Sequence, residues 1–187
     1  MCQPLLRNFV LVSILTVAAY GASRITIMKM GGDIDVDDAP LGASLYTMGG
    51  DINIRHASRD VSAKTMGGNI DVRQLDGSLD ARSMGGAIHV HATSTGSARN
   101  ITLRPMGGDV ELVVPRNFDA MFTVEIIDEH HQQHTISSDF PLQRSESDRW
   151  SLFNERTYTI RGRSAARSGA THVDISTHAG NVTIRKE

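Results

Sequence analysis

The chain has one cysteine, Cys2, in 187 residues. It therefore has no internal disulfide and no cysteine-based metal centre. Aromatics make up only 5% of the residues, too few for a large aromatic core. Charge of either sign is not in surplus: the net charge is −2. Such a weak field recruits neither nucleic acid nor an acidic membrane surface. Long apolar runs are missing after the first 19 residues. Familiar catalytic signatures are missing too, with no nucleophile elbow, phosphate loop or metalloprotease helix motif. No catalytic residue and no cofactor is expected.

What the chain does have is a tripeptide that returns. Met-Gly-Gly stands at Met30, Met48, Met66, Met84 and Met106, each methionine leading its glycine pair. The first four copies are 18 residues apart and the fifth follows after 22. A fixed period with a glycine corner marks a repeat architecture. Aligned on the glycines, the residues after the corner fall into columns. Ile34, Ile52, Ile70, Ile88 and Val110 form one; Val36, Ile54, Val72, Val90 and Leu112 form the next. Polar residues lie between them. Apolar, polar, apolar is the alternation of a strand with one buried face. A second strand precedes each corner, with inward columns Ala43, Val61, Leu79, Ile101 and Leu45, Ala63, Ala81, Leu103.

Two short strands per period bury nothing alone, but stacked copies bury their faces against each other. The pattern predicts an all-β, single-stranded parallel β-solenoid of about six short coils, two sheets facing across a thin core. Regular coils are expected over 25–114. An irregular excursion over 115–170 is expected to cover the open end of the stack. Within it, 128–148 reads as a polar loop. The repeat returns over 171–187, where Val173, Ile175, Val182 and Ile184 refill the columns and His178-Ala179-Gly180 replaces Met-Gly-Gly. The domain as a whole is placed at 23–187.

Residues 1–22 have the order of a secretory signal: Arg7, an apolar run from Phe9 to Ala19, then small residues. The run is shorter than the ~20 residues that span a bilayer. Cleavage is expected after Gly21 or Ala22. A retained anchor and a buried first helix are the alternatives.

The corner glycines Gly32, Gly50, Gly68, Gly86, Gly108 and Gly180 are expected to be structural. Alternation counted forward from Ala43 and backward from Ile52 disagrees by one at the corner. A positive φ at the second glycine would accommodate that slip. The methionines then have two readings. They fill the corner as a buried ladder, or they form a solvent-facing apolar stripe. The buried ladder is the expectation.

Among polar candidates, Asp33, Asp35, Asp51 and Asp71 sit near one another in adjacent columns, and stacked carboxylates suit calcium. A solvated face that keeps the sheet apart from others is the expected role. His89 and His91 share a strand face, and His130, His131 and His134 cluster in the excursion.

The unit from Thr47 to Ile54, and again from Thr65 to Val72, resembles a bacterial adhesin or "toastrack" β-solenoid family of unknown function. The closing run Val173 to Ile184 is similar to that family's C-terminal coil, as are Val114-Pro115, Ala120 to Ile127 and Asp139 to Leu142. The resemblance covers 25–187. It implies an exported, envelope-associated β-solenoid with no established catalytic residues, in some bacteria linked with membrane-stress systems. The leading function is then a structural, adhesive or protein-binding surface, with self-association as one form. A ligand-binding or sensory domain in envelope stress signalling is the alternative, and a carbohydrate-active enzyme a third. The partner is a protein or cell surface, not nucleic acid. Cleavage of the leader would leave no membrane span.

Overall fold

In a computed structural model of the chain, residues 24–93, 99–128, 134–150, 156–163 and 171–187 are described. The leader expected over 1–22 lies outside them, as do His130 and His131. Among the described residues the regular structure is all strand.

The five regular coils are strand pairs. They run β1 (Ile25–Lys29) and β2 (Ile34–Ala39), β3 (Ala43–Thr47) and β4 (Ile52–Ala57), β5 (Val61–Thr65) and β6 (Ile70–Leu75), β7 (Leu79–Ser83) and β8 (Ile88–Ala92), β9 (Asn100–Pro105) and β10 (Val110–Val114). The first strand of each coil joins one sheet and the second joins the other, all in parallel. Register is locked by the columns: Ala43 pairs Val61, which pairs Leu79, and Ile52 pairs Ile70, which pairs Ile88. Every inward residue of coils two to five is buried, so one continuous aliphatic core runs between the sheets.

The strands after each corner run further than the alternation suggests. Ala39, Ala57 and Leu75, expected in loops, end β2, β4 and β6 and are fully buried. They close the core at the edge opposite the glycines.

The C-terminal third fills the stack out of sequence order. β15 (Thr171–Thr177) and β16 (Val182–Lys186) lie directly on β9 and β10, with Val173 opposite Ile101 and Val182 opposite Val110. The closing coil is therefore inside the stack. The excursion lies beyond it: β11 (Ala120–Asp128) pairs in parallel with β15, and β12 (Ile136–Ser138) with β16. The second sheet thus has 7 strands, one per layer. The first sheet has 9, because β14 (Arg156–Arg163) and β13 (Gln143–Trp150) add two antiparallel strands past β11. Part of the segment read as a polar loop is thus strand.

Beyond β15 and β16, aromatic residues pack against the end of the core. Phe122 stacks on the Val173 column and is fully buried. Its ring lies 4.7 Å from that of Phe140 and 6.3 Å from that of Phe118. The Lys186 ammonium sits 4.2 Å above the Phe140 ring. Wide rings fill the core at this end.

Candidate functional site

The corner carrying the glycines is where the chain's distinctive residues meet. In coils two to four and in the closing coil the side chain before the corner points in, as the 0% exposure of Thr47 shows, and the second glycine is buried; in coil one Lys29 and Gly32 are exposed, and in coil five Gly108 is half-buried. Between them the methionine and the first glycine both face out. The parity slip is taken up by these two consecutive outward residues.

The methionines are therefore not a buried ladder. Met48, Met66, Met84 and Met106 are 39–51% exposed, and Met30 is 81% exposed. The expectation of burial fails because two outward positions, rather than one bulged glycine, absorb the slip. Backbone bonds hold the rungs in register: the N–H groups of Met66, Met84 and Met106 donate to the carbonyls of Thr47, Thr65 and Ser83. His178, also exposed, continues the column in the layer above Met106.

The glycines also behave differently from expectation. Of the repeat glycines only Gly32 has a positive φ, +84°. The second glycine of each later corner is glycine for lack of room. A Cβ on Gly68 would stand 2.2 Å from the Gly50 carbonyl oxygen, and one on Gly50 the same distance from that of Gly32. Gly86, Gly108 and Gly180 repeat the contact with the layer below at 2.2–2.3 Å.

Those same carbonyls are held from the side by buried hydroxyls. Thr47 donates to Gly32 O at 3.0 Å, Thr65 to Gly50 O at 2.8 Å and Ser83 to Gly68 O at 2.8 Å. Thr177 donates to Gly108 O at 3.4 Å. The Thr65 and Ser83 oxygens also accept from the N–H groups of Gly68 and Gly86, so these buried hydroxyls both donate and accept. Pro105 occupies this column in the fifth coil, where no hydroxyl is present.

Just past the corner lies a second ladder, which sequence reasoning missed. Asp33 accepts the backbone N–H of Asp51 at 2.9 Å, Asp51 that of Asn69 at 2.7 Å and Asn69 that of Ala87 at 2.9 Å. Asp109 accepts from Asn181 at 2.6 Å, and Asn181 from Thr135 at 3.0 Å. Each side chain thus satisfies the backbone of the next layer, up to the capping layer. The signal was present: a short acceptor side chain follows Gly-Gly in every copy except the fourth, where Ala87 stands. Ala87 breaks the ladder, so Ala87→Asn is expected to add a rung and stabilise the chain by ~0.5–1 kcal/mol. Asp51→Ala is expected to cost ~1 kcal/mol, and Asp51→Asn less than half of that. Urea denaturation of the three variants reads these shifts, and equal effects for the two Asp51 variants would show that the acceptor is idle.

The four acidic candidates do not converge. Asp33 and Asp51 belong to this backbone-bonding ladder. Asp35 lies in the next outward column, where its carboxylate accepts the Asn53 amide at 2.9 Å. Asn53 separates it from Asp71, whose carboxylate stands 3.6 Å from Arg73. Among the described residues, no group of three His, Cys, Asp or Glu could hold a metal ion.

His89 and His91 line a shallow depression of about 270 Å3 on the outer face of the second sheet, with Asp71, Arg73 and Glu111. The two rings face different carboxylates rather than one shared point. His89 stands 3.5 Å from Glu111, His91 2.7 Å from Glu187, and Arg185 3.1 Å from Glu111.

A third histidine ties three coils together. His56 Nδ1 lies 2.8 Å from Asp38 in the coil below, and its Nε2 3.7 Å from Asp76 in the coil above. The hydrogen bond to Asp38 raises the His56 pKa above its ordinary 6.5; the little burial it has opposes this, and the charge of Asp76 adds to it. A raised folded-state pKa gives stability that is fully present below the unfolded value and fades as pH rises through the folded one. The melting-temperature gap between wild type and His56→Asn is therefore expected to be larger at pH 6 than at pH 8.5. The effect is small, because the pair is solvent-exposed. A gap that does not change with pH would show that the protonated ring contributes nothing.

Parallel coils, two facing sheets and a glycine corner define a β-solenoid. The sequence model of the Toastrack DUF4097 family matches residues 15–185, and the chain belongs to that family. Neither a curated protein nor a solved structure is significantly similar to it. Among the described residues, no helix is long and apolar enough to cross a membrane.

Proposed function

We propose that the chain is a non-enzymatic, exported protein of the cell envelope that binds a protein or cell-surface partner through its methionine corner. The exposed stripe carries this reading. Five large apolar side chains stand in one straight file, one per coil. At the ~4.8 Å strand spacing the file is ~19 Å long. Aligned apolar exposure of this kind marks an interaction surface more often than scattered single residues do. Export rests on the order of residues 1–22, and intact-mass analysis of envelope-derived protein is expected to find a start at Ala22 or Ser23.

The test of binding compares wild type with two fourfold variants at Met48, Met66, Met84 and Met106. Methionine-to-leucine keeps the stripe apolar, and methionine-to-glutamine does not. Immobilised wild type and leucine variant are expected to retain envelope components or whole cells, or to self-associate in sedimentation. The glutamine variant should lose at least about tenfold in that binding, as expected when apolar anchors are removed. Equal binding by all three would move the interaction away from this corner.

A further inference from the structure

We propose that the same corner is a binding site for a soft monovalent cation, Cu(I) or its surrogate Ag(I), held between neighbouring rungs. This does not depend on the protein-binding reading, because it rests on sulfur rather than on apolarity. Thioether and imidazole are donors to soft and borderline metals, whereas calcium and magnesium take oxygen. The column from Met30 to Met106 and on to His178 consists of such donors and nothing else. No oxygen ligand interrupts it.

The spacing fits. Zinc–thiolate bonds are about 2.3 Å, and bonds from a larger ion to a neutral sulfur are longer, so two sulfurs flanking one ion stand about 4.6 Å apart or somewhat more. Successive rungs are one strand spacing apart, ~4.8 Å. The unbranched methionine side chain has three rotatable bonds with which to close the remaining difference. The sulfurs are also accessible. The Tyr46 hydroxyl donates to Met66 Sδ at 3.7 Å on the outer surface, so this thioether is turned away from the core. Beside the ladder runs a column of Lys64, Arg82 and Arg104, in which Arg82 pairs with Asp80 at 3.0 Å and Arg104 with Asp174 at 3.2 Å, so most of its charge is already matched. Selection therefore rests on the donors: uncharged sulfurs give a hard ion little.

The measurement is titration of the full chain with silver nitrate in chloride-free buffer, and Cu(I) competition against a chromophoric chelator. Cys2→Ser is built into every variant, because a thiol would bind both ions by itself. Wild-type ladder is expected to bind about 100-fold more tightly than the fourfold Met→Leu variant, reflecting the loss of soft donors. Bound ion should also raise its melting temperature. His178→Ala is expected to weaken or remove binding at the Met106 end while leaving that of the Met48–Met66–Met84 run. Zinc and calcium should bind neither protein. If the fourfold variant misfolds by circular dichroism, Met66→Leu alone still breaks the run and should lower the silver stoichiometry. Equal affinity and stoichiometry in wild type and a folded leucine variant would overturn the proposal. The protein-binding reading would survive that result, since leucine preserves the apolar stripe.

Discussion

Gly68→Ala is expected to destabilise the chain by at least about 3 kcal/mol, while its neighbour Gly67→Ala is expected to be neutral or stabilising by up to about 1 kcal/mol. The two residues are adjacent and chemically identical, yet only at Gly68 would a methyl group clash with the backbone of the layer below. At Gly68 a methyl group would stand 2.2 Å from Gly50 O and 2.4 Å from its carbon. Both are backbone atoms and neither swings aside as a side chain does. The layers would have to part. Parting them would also break the Thr65 hydroxyl bond to the same carbonyl. At Gly67 the nearest atoms are 3.8 Å away, ordinary contact, and its φ is not in the left-handed region. Alanine there reduces the freedom of the unfolded chain at no cost to the fold. Denaturant titration of the two variants decides it. Similar losses at both positions would mean that the glycines serve backbone flexibility rather than close stacking.

This pair also shows what a sequence can and cannot disclose. Alternation in the Ile34 and Val36 columns identified the buried faces, because a strand with one dry side must place apolar residues at every second position. The 18-residue spacing identified the stack, because identical columns have to superimpose. The closing coil was legible for the same reason, through Val173, Ile175, Val182 and Ile184. Its place in space was not. Alternation says which residues face the core and nothing about which layer lies next to which. The β9–β15–β11 order follows from a chain that skips one layer and returns to fill it. Gln143–Trp150 escaped as a strand because its sequence is mostly polar and its pairing with β14 runs through the backbone. Counting misplaces the methionines because two strands of opposite parity meet at the corner, and alternation does not say which residues absorb the mismatch. In the sequence Asp33 and Asp51 look like solvated polarity. The acceptors of the Asp33-to-Asn181 ladder serve backbone N–H groups one layer away, a partnership that exists only once the layers are stacked.

The most direct measurement of the stack is removal of one whole coil. Deleting Met48 to Thr65 joins Thr47 to Met66 and rebuilds Thr-Met-Gly-Gly at the junction. Strand β3 is then followed by β6, so that β3 lies on β7 and β2 on β6. Every column keeps a partner: Leu45 meets Ala81, Thr47 meets Ser83, Ile34 meets Ile70, and Asp33 reaches the backbone of Asn69. Stability should fall by about one repeat's own energy and one interface, as in stacks governed by nearest neighbours. Deleting one residue fewer, Met48 to Lys64, leaves Thr65 beside Thr47. That extra residue turns a strand's apolar face outward or forces a bulge into a corner with no spare room. The whole-coil deletion is expected to give strand-rich circular dichroism and a cooperative melt, and the shorter deletion to be much less stable or to aggregate. Equal folding of the two, or failure of the whole-coil deletion alone, would contradict a stack of interchangeable 18-residue coils.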